Sequence, residues 1–165
     1  MTVLAPEQQR LARLLRLVDR EDTHLQAVRY RLLGDNSAVD AARVRELLTD
    51  DAGIDRLESF GAKFARMQDT VIDKLSPVLL RASGEQVAAA IDNLGRMERL
   101  GLVASAEAWL EMRRLRTRLV HEDIDQPGDL AVTLERASCF TDQMHADYLL
   151  IRQYALTHLG VEPGL

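Results

Sequence analysis

Between Glu107 and Asp123 the chain reads Glu-Ala-Trp-Leu-Glu-Met-Arg-Arg-Leu-Arg-Thr-Arg-Leu-Val-His-Glu-Asp. Arg113, Arg114, Arg116 and Arg118 fall within six residues, and His121 follows Arg116 with four residues between them. RNA can be cut without a metal ion when its 2′-OH attacks the adjacent phosphate. That reaction needs a group to take the proton and a cation to hold charge building on the phosphate oxygens. Histidine titrates near neutrality and can accept or return a proton. Arginine stays charged and offers a fork of donors suited to phosphate. His121 and Arg116 fit these two roles, with Arg113, Arg118 and Thr117 as RNA-binding or supporting neighbours and Asp123 beside the histidine.

Geometry limits what one copy can do. Residues five apart on a straight helix point about 140° away from each other. Convergence of Arg116 and His121 requires either that His121 lie past the last regular turn or that two helix ends meet across a dimer axis. The bland account is a solvated Arg face with a terminal His, since a charged His at a helix C-terminus is favourable by itself.

Other chemistry is poorly represented. A di-iron bundle needs two Glu-x-x-His pairs, and Glu21-Asp22-Thr23-His24 supplies one, read here as a solvated charged face. Cys139 and His145 have no further ligands close by in sequence, and no metal or cofactor is expected. No Gly-rich phosphate loop or nucleophile elbow occurs.

The segment from Leu100 to Glu122 resembles the Arg-x4-His signature of HEPN domains, in particular the HepT-like toxins. The residues that carry the likeness are Arg99-Leu-Gly-Leu-Val103, Trp109, and Leu115-Arg116-Thr117-Arg118-Leu119-Val120-His121-Glu122. Weaker similarity extends upstream through Phe64, Met67, Gln68-Asp69 and Lys74-Leu75-Ser76-Pro77. The resemblance implies a metal-independent endoribonuclease, the toxin of a type II or type VII toxin–antitoxin pair. It also implies a homodimer with a composite cleft, an RNA substrate with transfer RNA among the candidates, and a minimal nucleotidyltransferase as antitoxin. Thr117 stands where the family usually has Asn. Asp123 stands where many HepT-like toxins carry the Tyr to which the partner attaches nucleotide; Tyr148 and Tyr154 are the alternatives for that role. The runner-up function is a non-catalytic HEPN substrate-binding subunit of a nucleotidyltransferase, or a plain helical dimerisation module.

The elements that must position these residues are helical. The 165 residues suit one domain, 1–165, with a sizeable core, and 47% are hydrophobic but only 4% aromatic. Pro6 and Gly34 bracket a first helix to Leu33, and a short helix follows near Ala38 to Leu48. After a break at Asp50-Asp51-Ala52-Gly53, the intervals of Ile54, Leu57, Phe64, Met67, Val71 and Leu75 form one stripe that Pro77 kinks or ends. Ser83-Gly84-Glu85 opens a helix through Val87, Ile91, Leu94 and Met97. Ser105 caps the helix of the Arg cluster, with Trp109, Met112, Leu115 and Leu119 inside. The last helix spans about Asp129 to His158. The expected fold is an antiparallel four- to five-helix bundle, HEPN-like by resemblance, with an additional short helix.

Charge and composition bound the rest. The net charge of −5 argues against a surface that coats nucleic acid broadly, though not against a local basic patch. All basic residues are Arg except Lys63 and Lys74. The longest apolar run, Val87 to Ile91, is too short for a membrane span. Met1 to Pro6 shows no secretory pattern, and the single Cys139 fits a reducing cytoplasm, so a cytoplasmic protein with no membrane partner is expected.

Overall fold

A computed structural model describes residues 5–36, 38–121 and 126–163; the side chains of Val120 and His121 lie outside the described set. Helix and no strand is found among these residues. The elements are α1 (Pro6–Leu33), α2 (Ala41–Leu47), α3 (Asp51–Asp69), a π-helical segment (Thr70–Leu75), α4 (Ser76–Ala82), α5 (Ala90–Arg99), α6 (Ala106–His121) and α7 (Pro127–His158). Because α3, the π segment and α4 are continuous, they form one rod. Among the described residues, no helix is long and apolar enough to cross a membrane.

Local chemistry explains most boundaries. Pro6 opens α1, and Gly34, at φ 64°, closes it in a conformation that only glycine adopts without strain. Asp40 caps α2 by accepting from the Arg43 N–H at 2.8 Å, and Asp50 caps α3 by accepting from Gly53 N–H at 2.7 Å. Gly53 therefore sits inside α3 rather than in the break expected from sequence. A Cβ there would fall 1.8 Å from the Leu47 carbonyl oxygen, so glycine lets the end of α2 close on the start of α3. Ser105 caps α6 as expected, its hydroxyl accepting from Ala108 N–H at 3.1 Å.

The helix expected from Ser83 begins instead at Ala90. Buried Asn93 accepts from Ala88 N–H at 2.8 Å and donates to Ala88 O at 3.0 Å. That side chain satisfies the backbone of the preceding segment and holds it out of the helix. Ile91, expected in the core stripe, is consequently in the first turn and 64% exposed.

One apolar core runs through all the rods. Helix α1 contributes Leu11, Leu15, Val18, Leu25 and Val28, and packs on α3, the π segment, α4 and α7. Phe60 stacks on Phe64, Phe64 meets Phe140 edge-on, and Phe140 meets Trp109 edge-on at 5.3 Å between ring centres, which links α3, α7 and α6. Helix α7 buries neighbours in pairs, such as Thr133-Leu134 and Asp147-Tyr148, because α6 covers one side of it and α1 and α2 others.

The buried acids connect these rods. Asp147 on α7, 1% exposed, accepts from Trp109 Nε1 at 2.8 Å, Gln143 Nε2 at 2.8 Å and Ala104 N–H at 3.2 Å. Asp22 on α1 meets His145 Nδ1 at 2.7 Å, and Asp19 takes the Tyr148 hydroxyl and Arg152 Nε at 3.0 Å. The reading of Glu21-Asp22-Thr23-His24 as a solvated face is thus corrected: Glu21 and Asp22 are buried, and only Thr23 and His24 face solvent. Replacing Asp147 by Ala would strand the indole N–H and two further donors in the core. A loss of about 2–4 kcal/mol is expected from urea unfolding, against a change within about 0.5 kcal/mol for Thr23→Ala on the solvent side.

Candidate functional site

Helix α6 is built from its inward side. Trp109, Met112 and Leu119 are buried and Leu115 is half-buried, which fixes how the helix rolls against α3 and α7. That roll turns Arg113 and Arg116 toward the α3 rod and leaves Arg114, Thr117 and Arg118 exposed.

The π segment meets them. A π turn widens the helix and shifts its faces. Here it precedes Pro77, which lacks an N–H to continue an α-helical ladder. The Val71 carbonyl accepts from both the N–H and the hydroxyl of Ser76, the latter at 2.7 Å. Asp69 and Asp73 bracket the start of this widened turn and face α6. Arg113 donates through both terminal nitrogens to Asp73, at 3.0 and 2.8 Å, and its Nη2 is also 3.9 Å from Asp69. Arg116 donates through Nη1 to Asp69 and, at 3.4 Å, to Ala65 O.

The two arginines therefore differ. Arg113 has spent its fork on one carboxylate. Arg116 is held by a single nitrogen, so its Nη2 and Nε donors keep no partner among the described residues, and its side chain remains 23% exposed. Arg116 is thus half-buried and pinned to α3, unlike the solvated Arg of the bland account. The four-Arg cluster is likewise reduced, with Arg114 and Arg118 the members that no carboxylate of the described residues engages.

Helix α6 runs through His121, its last residue, so the option of a histidine beyond the regular turn is not realised in the backbone. On that helix Arg116 and His121 start about 140° apart. The side chain of His121, and Asp123 altogether, lie outside the described residues. Tyr148 cannot stand in for the missing tyrosine as a modification site: it is 1% exposed, and its hydroxyl contacts Leu15 O at 2.9 Å and donates to Asp19. Burial and the Asp19 charge push its hydroxyl well above the usual tyrosine range. Tyr154 is half-buried and stacked on His158, 4.6 Å between ring centres.

Behind the π segment lies Glu21, which the sequence pattern placed on a solvated face. Glu21, 8% exposed, accepts from the Thr70 hydroxyl at 3.0 Å, while its other oxygen has no partner among the described residues. Burial raises its pKa, only partly offset by Thr70 and by Arg66, Lys74 and Arg20.

Two outcomes follow. Asp69 is 46% exposed, so its ion pair with Arg116 is screened, and Asp69→Asn should change unfolding free energy by less than about 1 kcal/mol while leaving helicity intact. A larger loss would make the pair a structural clamp. For Glu21, the folded protein holds the proton more tightly than the unfolded chain. Its contribution is thus fully favourable below the unfolded value of 4.5 and is lost as pH rises through the raised folded pKa. Glu21→Gln should therefore gain stability relative to wild type as pH is raised from 4.5 toward neutrality, measured by thermal unfolding across that range. An unchanged difference would show that Glu21 is as well solvated folded as unfolded. Compared with known proteins, the chain matches no family model, no curated protein and no solved structure, so the chemistry of the site rests on its own residues.

Proposed function

We propose that the end of α6 is a metal-independent RNA-cleaving site of the HEPN type, with Arg116 and His121 as its catalytic pair. The observation that carries this reading is the tether of Arg116. Asp69 fixes the guanidinium through one nitrogen and leaves two donor positions open. A cation already oriented loses less freedom when it meets charge developing on phosphate. In the reaction, the 2′ oxygen bonds to phosphorus, the bond from phosphorus to the 5′ oxygen breaks, His121 takes the 2′-OH proton, and a proton returns to the departing 5′ oxygen. Arg116 holds the charge on the non-bridging oxygens, and Arg118 with Thr117 contacts the flanking strand.

The angle between Arg116 and His121 on one helix calls for a second copy, so the proposal includes a homodimer in which the α6 ends meet. It also includes the role of a toxin in a type II or type VII pair, held in check by a minimal nucleotidyltransferase. One observation favours a second reading, a non-catalytic HEPN subunit or dimerisation module: Asp69 and Asp73 offset two of the four clustered arginines, which weakens the patch as a phosphate site.

Cleavage of total RNA in excess EDTA separates the two. His121→Ala should lower the rate by about 10²–10⁴-fold through loss of the proton acceptor. Arg116→Lys should also impair cleavage, since an ammonium cannot reproduce the planar two-point contact. Helicity of both variants should match wild type. Cleavage that disappears with EDTA, or that persists in His121→Ala, would sink the mechanism. A folded wild type that cuts nothing and does not arrest growth when expressed would leave the non-catalytic reading.

A further inference from the structure

The outer face of α1 carries cations that the α6 site does not use. Arg10, Arg13, Leu17, Arg20, His24, Ala27 and Arg31 recur at intervals of three and four, which places them on one side of a continuous helix. From Arg10 to Arg31 this row is about 31 Å long. All four arginines are exposed, and none makes an ion pair or side-chain hydrogen bond among the described residues. Of the acids of α1, Asp19 is taken by Tyr148 and Arg152, Asp22 by His145, Glu21 is buried against Thr70, and Glu7 is exposed in the first turn, three residues before Arg10.

The row is also widened and shaped. A groove of about 730 Å³ runs along its first half, with Arg10, Arg13, Arg16 and Arg20 over Leu14 and Leu17, and the engaged Asp19 at its edge. Arg66 of α3 and Lys74 of the π segment, both exposed, act together with Arg20 on the buried carboxylate of Glu21. Arg10, Arg13, Arg20 and Arg31 thus form a local positive row on a chain whose net charge is −5.

We infer that the outer face of α1 is a docking track for the phosphate backbone of an RNA strand, distinct from the residues that would cut it. Arginine forks suit phosphate oxygens. The charges lie over the half-buried Leu14 and Leu17, and the exposed aromatic of α1, Tyr30, points about 100° round the helix from Arg31, so the row itself carries no exposed apolar anchor of the kind a protein partner or a lipid surface would use beside the charges. This inference rests on RNA being the ligand of the α6 site.

The test is binding of a single-stranded RNA oligonucleotide, 2′-O-methylated throughout so that it cannot be cut, by the full chain at about 50 to 200 mM salt. The variant R10Q/R13Q/R20Q/R31Q should lower the log–log salt slope by about two to three and weaken binding at the low-salt end by about tenfold or more. R13Q/R20Q should lose about half of that slope, and R99Q, an exposed arginine of α5, should lose none of it. Equal slopes for the quadruple variant and wild type overturn the inference, as does a wild type that does not bind. Displacement by polyglutamate as effective as by RNA, or Arg-dependent binding confined to phosphatidylserine vesicles, would overturn it in favour of an acidic protein or a membrane. Cleavage of unmodified RNA is followed in parallel. Binding through α1 without cleavage retains the track and removes the catalytic reading, whereas cleavage with α1-independent binding does the reverse.

Discussion

Asp147 is a carboxylate sealed in the core, and everything about α6 depends on it. Three donors converge on it from the indole of α6, the turn that leads into α6, and α7 itself. A buried charge so surrounded cannot be released cheaply, because any departure of α6 leaves it unpaired in a low-dielectric interior. The Trp109 ring, once oriented by that bond, packs edge-on against Phe140 and sets the roll of the helix. That roll decides which of the arginines, four residues further along and beyond, turn to the α3 rod. The electrostatics of the helix end are therefore a downstream result of one hydrogen-bonded core residue.

A second constraint acts from the other side. Two acids of the α3 rod meet two bases of α6, but with different valence: a full fork at Arg113 and a single-nitrogen tether at Arg116. The difference matters because a guanidinium closed on both sides by one carboxylate is a neutral unit, whereas one held by a corner is still a directed donor. On the outer face of α1, Arg10, Arg13, Arg20 and Arg31 have a third fate, with no ion-pair partner among the described residues. The protein uses arginine as a strut, as a tethered donor and as a bare surface charge, and local acids alone distinguish them.

The sequence made the apolar framework readable and the polar one nearly invisible. Pro6 and Gly34 mark α1 because proline and glycine act through their own backbone restrictions, and Ser105 marks α6 through a bond three residues away. The stripe from Leu57 to Leu75 is likewise a local periodicity. The start of α5 was missed because Asn93 works backward on Ala88, against the usual direction of a cap. The acids Asp19, Asp22 and Asp147 carry no sign of burial in their neighbourhoods, since Asp19 and Asp22 find partners more than 100 residues away on α7. Within the candidate site, the residue types and the 140° divergence followed from spacing, while the pinning of Arg116 required the register of the π segment.

That segment has a consequence for chain length. A π turn holds about one residue more than the α turn it replaces, so it behaves as an insertion absorbed without a loop. Across it the buried positions Phe60, Phe64, Met67, Val71, Leu75 and Val78 keep the three- and four-residue intervals of one stripe, and the extra residue is taken up where Thr70, Val71, Ile72, Leu75 and Ser76 are all buried. Removing a single residue within this span would let the rod become an uninterrupted α-helix, but it would rotate Asp73 relative to Asp69 and disturb the pairing of the two acids with their arginines. The place where the rod carries its extra residue is thus the place that holds the acids facing α6.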